Sequence, residues 1–351
     1  RTALFGATFL SIILGVSLAI GDPARFLILN LVTSIVVIIS ARAIRLRKEV
    51  LAVCFKSWLS SILVLYAFVL SERDWWSPLF VTDVFTSLGF LMATAILVMG
   101  LLPLLESAFG VLTDMTLMEY LDPGSELLRR FALEVPGTYH HSQLLGALAE
   151  SCATAIGANG LFCRAAALYH DIGKMVNPPF YTENKRDDDV NVHQLLTPTE
   201  SAGVIIAHVT DGIAIARKHR LPESFIDIIA EHHGTTLVYY FYRKELDVHG
   251  GDPLQVDAEQ FRYPGPTPRS KESAIMMLCD SVEAASRSLE NKGLEGVQEL
   301  VERLIADKIR EGQMNACQLT FQELEQIKKA LVKALVVAHH TRIKYPKKEI
   351  L

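Results

Sequence analysis

The chain has 351 residues, half of them hydrophobic and 21% charged, with a formal net charge of −5. Its mean hydropathy is +0.27, and soluble domains carry about 25% charged residues, so part of this protein does not live in water. There is no basic block long enough to grip duplex nucleic acid, and Cys54, Cys152, Cys163, Cys279 and Cys317 are scattered without a CxxC, which excludes a disulfide framework or zinc ribbon and fits a reducing compartment.

The composition is sharply partitioned. Charges are sparse up to Gly110, and all eleven histidines fall after residue 139. Four apolar stretches, 3–20, 26–41, 50–70 and 84–105, come first. A spanning helix needs about 20 apolar residues, which the first, third and fourth meet. The second is short and calls for local thinning or close packing. One such stretch alone would read as a buried core helix; four in succession read as a membrane domain. The connection between the second and third carries Arg42, Arg45, Arg47 and Lys48, whereas the other two carry only Arg25 and Arg73. By the positive-inside rule the basic loop is cytoplasmic, as are both ends, and Trp75 and Trp76 sit at the outer interface. Lys56, about two turns into the third stretch, is expected to snorkel to the cytoplasmic face. No other ionisable group lies deep in a span, which argues against a channel or transporter. The opening Arg1-Thr2 leads to the expectation that an upstream part precedes this chain.

Beyond Leu105 the pattern is helical and water-soluble. Helices are predicted over 139–156, 161–170, 199–219, from Leu221-Pro222 to Gly234, and over 272–289, 294–312 and 321–338. Pro at a helix start and Gly past its end mark these boundaries, and Thr320-x-x-Glu323 is a capping box for the last. No stretch alternates with period 2 for long enough to build a sheet, so the soluble half is predicted to be all-α.

On those helices sit His140-His141, His170-Asp171, His208, His232-His233 and Asp280. Imidazole with carboxylate suits divalent Mn, Fe, Ni or Zn, and the lack of a nearby thiolate argues against a structural zinc. Seven ligands exceed one tetrahedral ion but divide between two ions sharing a carboxylate. Such a pair can clamp both oxygens of an in-line phosphoryl displacement. Taken singly, each residue has a plainer reading: packing, a surface position, or a His⁺ at a helix C-terminus. His193, His219, His249 and His339-His340 are left with it. The ordered set is not.

The run His170-Asp171-Ile172-Gly173-Lys174 resembles the HD metal-dependent phosphohydrolases. LLPLLESAFG, LEVPGTYHHS, LYHDIGKM, IIAHVTDG, EHHGTTLVYYFY, FRYPGPTPRSKE and CDSVEAASRSL resemble the seven-transmembrane HD phosphodiesterases of the PgpH type, across the whole soluble half and the last span. The resemblance implies polytopic membrane helices followed by an all-α HD domain. The expected organisation is a transmembrane domain over 1–110, a connecting helical segment over 111–135 and a cytoplasmic HD domain over 136–351, in a bacterial inner membrane. It implies hydrolysis of cyclic di-AMP to linear pApA with two divalent ions, Mn or Fe.

Carried over, one ion falls to His141, His170, Asp171 and Asp280, and the other to His208, His232 and His233 with Asp171 as the bridge. In the Tyr-His-His-Ser run the second His is the ligand, which leaves His140 a supporting role. Asp171 and Lys174 are the expected catalytic residues, Lys174 as a cation toward phosphate. Arg262, Tyr263, Arg269, Lys271 and Arg287 are candidate substrate contacts. Lys185 and Cys279 depart from the family pattern, where Gln and Ala are usual. The partners expected are cyclic di-AMP and the bilayer; a homo-oligomer is compatible. The alternatives are a hydrolase of cyclic di-GMP, a guanosine polyphosphate or a nucleoside triphosphate, a di-iron oxygenase, and a nucleotide-binding transmembrane receptor with little catalysis. The chain lacks the GYP triplet of the cyclic di-GMP enzymes.

Overall fold

A computed structural model describes residues 2–20, 22–41, 44–72, 78–185, 191–291 and 293–340. Arg42, Arg73, Trp75 and Trp76 lie outside them. The chain divides into two units, Arg1–Met118 and Glu119–Leu351.

The first unit begins with α1 (Thr2–Ser17), α2 (Pro23–Ser40), α3 (Arg47–Glu72) and α4 (Pro78–Phe109). Consecutive helices pack against each other. Among the described residues three segments are long and apolar enough to cross a membrane: Pro23–Ser40, Arg47–Ser71 and Pro78–Phe109. The second stretch, which the sequence reading had found short, is thus long enough. At the end of α1 the Ser17 hydroxyl donates to the Leu14 carbonyl and the backbone tightens through Ala19. Asp22 then caps Arg25 N, and Pro23 opens α2 with a φ already suited to the first turn.

Large apolar side chains of this unit, among them Leu63, Phe85, Phe90 and Leu97, face outward. That arrangement is costly in water and natural in lipid. Between the helices the residues are smaller: Ser57, Ser61 and Ala95 are buried, and Trp58 Nε1 donates to the Val84 carbonyl at 3.0 Å. Small and hydroxyl-bearing residues let membrane helices approach closely. Arg25 of α2 pairs with Asp83 of α4. Lys56 is exposed on α3.

Among the described residues there is no strand, only an isolated bridge between Leu237 and Arg262. The remaining helices are α5 (Asp114–Tyr120), α6 (Glu126–Glu134), α7 (Pro136–Ala155), α8 (Gly160–Ala167), α9 (Pro198–Lys218), α10 (Glu223–Glu231), α11 (Tyr239–Val248), α12 (Lys271–Ser286), α13 (Leu294–Arg310) and α14 (Phe321–His340). Their starts are locally coded. Pro136 opens α7, the Asn159 side chain caps Phe162 N, and Thr197 with Glu200 forms a capping box for α9. Thr320 and Glu323 exchange the same pair of bonds ahead of α14.

In the second unit α7 packs against α8, α12 and α14, while α9 packs against α10, α11 and the 3₁₀ turn Ile172–Met175. The core face of α12 is fully buried from Ala274 to Cys279. The helix α11 was not expected from the sequence. Its Phe241 and Leu246 close a small core with Ala202, Val256 and Phe261, and its entry is pinned by Val238 N donating to Phe261 O at 2.8 Å. Tertiary burial of an aromatic-rich segment outweighs its modest helix propensity.

Candidate metal centre

Five segments deliver the histidines and carboxylates. His141 comes from α7, His208 from α9 and Asp280 from α12. His232 and His233 follow the last turn of α10, ahead of Gly234. His170 and Asp171 do not end α8 as the sequence suggested. The helix tightens at Leu168 and Tyr169, whose amides reach back three residues, and the pair sits in the turn before Ile172–Met175.

The seven residues form two sets that meet. Ligand atoms of Asp171, His208, His232 and His233 lie within 4.8 Å of one another, as do those of His141, His170 and Asp280. Asp171 joins them: its Oδ1 is 3.2 Å from His208 Nε2, and its Oδ2 is 3.2 Å from His170 Nε2. His141 is buried in this cluster while its neighbour His140 is exposed.

The hydrogen bonds fix which nitrogen of each ring faces inward. Nδ1 of His170, His208 and His232 meets the carbonyls of Ala167, Ile205 and Ile229, at 2.8, 2.5 and 2.8 Å. A carbonyl only accepts, so each Nδ1 donates its proton there and Nε2 is the nitrogen left facing the cluster. Nε2 of His208 and of His232 then face each other at 3.4 Å. His170 Nε2 and Asp171 Oδ1, both buried, make no hydrogen bond. Unpaired buried donors of this chemistry fit a divalent ion well.

The electrostatics agree. Burial opposes ionisation of Asp171, but the charges of His170 and Lys174 hold its carboxyl well below the ordinary range. Asp280 is likewise held down, against burial, by its bond to His141. Burial and the neighbouring His232 push His233 far below the usual histidine value, so it is neutral and free to ligate. Burial works against the His141 cation, yet bonds to Asp280 and Glu283 raise its ring to about 9.

These groups floor an open cavity of about 380 Å³, within the range of ligand pockets. Lys174 lines it, held by Asp171 at 2.8 Å and Glu183 at 2.9 Å. Burial disfavours that ammonium, but the two carboxylates keep it firmly protonated. Of the candidate substrate contacts, Tyr263 and Arg287 line the cavity, Tyr263 stacked on His233 with centroids 4.2 Å apart. Arg262, Arg269 and Lys271 do not. Arg262 bonds to Thr235 O, Arg269 to Glu231 and Asp227, and Lys271 to Glu323. Their charges are spent on pinning loops and helices. Lys185 is held by Asn191, and Cys279 lies beside Cys152 in the core with their sulfurs 3.8 Å apart.

Three participants escaped the sequence reading. Glu183 bridges Lys174 to Thr138 at the head of α7. His193, taken as structural, lines the cavity with Nε2 donating to Phe180 O and a buried, unpartnered Nδ1. Glu283 accepts from His141 Nδ1 at 2.7 Å. Only Glu283 left a local sign, standing three residues after Asp280 on one helical face.

Comparison with known proteins gives a consistent answer. A family described as "7TM receptor with intracellular HD hydrolase" matches residues 1–113, and the HD domain family matches 138–285. The cyclic-di-AMP phosphodiesterase PgpH of Bacillus subtilis is 45% identical over 254 residues, covering 72% of this chain and 35% of that protein. PgpH of Listeria monocytogenes is 41% identical over 251 residues, covering 72% and 34%. The chain thus spans about a third of the length of these curated relatives. The crystal structure of the L. monocytogenes PgpH HD domain in complex with cyclic-di-AMP superposes with a TM-score of 0.58 at 40% identity, over 62% of this chain and 99% of that one. Membrane helices, an HD domain and these identities together mean that the chain belongs to the PgpH family of membrane-anchored HD-domain proteins.

Proposed function

We propose that the chain hydrolyses cyclic di-AMP to linear pApA at the cavity above Asp171. The observation that carries the reading is the junction at Asp171, where two inward-facing ligand sets share one carboxylate. His141, His170, Asp171 and Asp280 would hold one divalent ion, and Asp171, His208, His232 and His233 the other, with Mn or Fe as the preferred metals. Ions bound there supply Lewis-acid polarisation of a phosphoryl oxygen and a water acidic enough to react near neutral pH.

The chain's own groups do the rest. Water adds to one phosphorus and the bond to the 3′-oxygen breaks, giving a 3′-hydroxyl and a 5′-phosphate. Lys174, kept cationic and fixed by Asp171 and Glu183, sets a positive charge on the cavity wall where phosphate charge grows. Arg287 adds a second cation at the wall. Phe180, Tyr181, Tyr240 and Phe241 line the same space. Stacking on aromatic faces is worth about 1–3 kcal/mol per base, which suits a ligand with two adenines.

The purified chain with Mn²⁺, incubated with cyclic di-AMP and separately with cyclic di-GMP, tests the reading by chromatography of the products. Accumulation of pApA is expected. Hydrolysis of cyclic di-GMP alone would move the substrate assignment, and no turnover with full metal occupancy would favour a receptor.

We place the HD domain on the cytoplasmic side, over 136–351 and following a membrane domain over 1–110, because Arg45, Arg47 and Lys48 crowd the start of α3. A topology reporter in the 42–48 loop should read cytoplasmic and one in 73–77 external. The reverse pattern would separate the site from a cytoplasmic nucleotide.

A further inference from the structure

Four of the cluster histidines have a ring nitrogen turned away from the ligand junction and hydrogen-bonded, and one differs from the rest. His170, His208 and His232 each give Nδ1–H to a carbonyl of their own chain segment three residues back. His141 has no such local carbonyl bond. Its Nδ1 reaches across from α7 to Glu283 Oε2 on α12, at 2.7 Å, while its Nε2 lies 3.0 Å from Asp280 Oδ1. Asp280 and Glu283 stand one helical turn apart and grip the ring from either side.

Glu283 is only 3% exposed. A carboxylate taken out of water needs compensating partners, and it has two. Arg287, one turn further on, places Nε 3.1 Å from both carboxylate oxygens and Nη2 2.9 Å from Oε2. The other partner is the His141 ring. A half-exposed arginine in an i,i+4 pair contributes little by itself, so a surface ion pair does not account for a buried acid at this position. The side chain is therefore a buried carboxylate aimed at one nitrogen of one proposed ligand.

We infer that Glu283 is a positioning residue: it holds the proton of His141 on Nδ1 and aims Nε2 at the ion shared with His170 and Asp280, so that only this one of the two ions depends on a carboxylate behind its histidine. Arg287 holds the carboxylate in turn, linking the cavity wall to that ligand. The inference rests on the two-ion reading proposed above. Its consequence is an asymmetry between the ions. A carboxylate behind a ligating histidine makes the ring a stronger donor, and its loss typically weakens metal affinity by about 10- to 100-fold. The set of Asp171, His208, His232 and His233 has no contact with Glu283 among the described residues and should be untouched.

The test is equilibrium dialysis of the full chain in detergent against graded free Mn²⁺, followed by elemental analysis, on the wild type and Glu283→Gln. The wild type should retain two ions. In Glu283→Gln one ion should leave at free Mn²⁺ about 10- to 100-fold higher than in the wild type, with the second ion and the melting temperature of the metal-free protein unchanged. Unchanged retention of both ions, or equal weakening of both, overturns the inference. If Glu283→Gln does not fold, Glu283→Asp keeps the charge and withdraws it by one methylene. Selective weakening of one ion there supports the inference, and any other pattern in the folded variant overturns it. A wild type holding fewer than two ions overturns the two-ion reading itself, and the inference falls with it.

Discussion

Gly173 lies against the backbone of His208 so closely that a Cβ on it would sit 1.9 Å from the His208 carbonyl oxygen and 2.5 Å from Gly212 N. That approach brings the turn carrying Asp171 onto α9, and it exists only because Gly173 has no side chain.

Gly173→Ala should therefore push the turn off α9 and separate Asp171 from His208. Neither clashing group is a flexible side chain, so relief must come from the backbone. The expected loss is about 2 kcal/mol of stability or more, together with reduced metal retention. Chemical denaturation and elemental analysis check it. Normal values for both would mean that the turn shifts without cost.

Asp171 should be the least replaceable residue, because it touches both ligand sets. Asp171→Asn should release at least one ion and lower turnover by about 10³-fold, a loss of about 4 kcal/mol in transition-state stabilisation. Two retained ions with near-normal rate would disprove the shared-carboxylate assignment.

His140 and His141 are adjacent in sequence and opposite in environment, the first exposed and the second buried between Asp280 and Glu283. Successive helical positions point about 100° apart, so one ring enters the cluster. His141→Ala should lose one ion and at least about 10²-fold in activity, whereas His140→Ala should keep both ions and cost about 10-fold at most. Measured metal content in the two variants separates them. Depletion in the His140 variant alone would shift the register by one residue.

A pH effect is expected away from the site. The bond from Lys271, then the Thr320 amide, holds Glu323 down from 4.5 to about 2. A carboxyl with a depressed folded pKa contributes its stability above the unfolded value and loses it as pH falls through the folded one. The difference in urea midpoint between the wild type and Glu323→Gln should thus be full above about pH 5 and shrink between 4.5 and 2. A difference that grew on acidification would contradict the pairing.

The membrane helices and the candidate ligand set were legible because their signals are local or chemically restricted. An apolar run announces itself by length, a capping box by two residues three apart, and His and Asp by the metals they can bind. The end of α1 was not legible, since the apolar run continues to Ile20 while the helix stops at Ser17 and the backbone tightens through Ala19. Nor was α11, whose helix depends on Phe241 and Leu246 finding Ala202 and Phe261.

The sequence by itself determined that this chain pairs a lipid-facing bundle with an all-α domain carrying seven candidate ligand residues in a family-specific order. Only the tertiary structure decided what the remaining charges do. Arg269 spends its charge on Glu231, 38 residues away, and Lys271 on Glu323, 52 residues away, so neither lines the cavity. Glu283 meets His141 across 142 residues and lies directly behind a ligand. Coulombic and hydrogen-bond partners are chosen by distance in space, and a buried charge takes the partner that packing brings within about 3 Å. Residue type therefore identified the candidates, and the fold alone sorted ligand, support and pin.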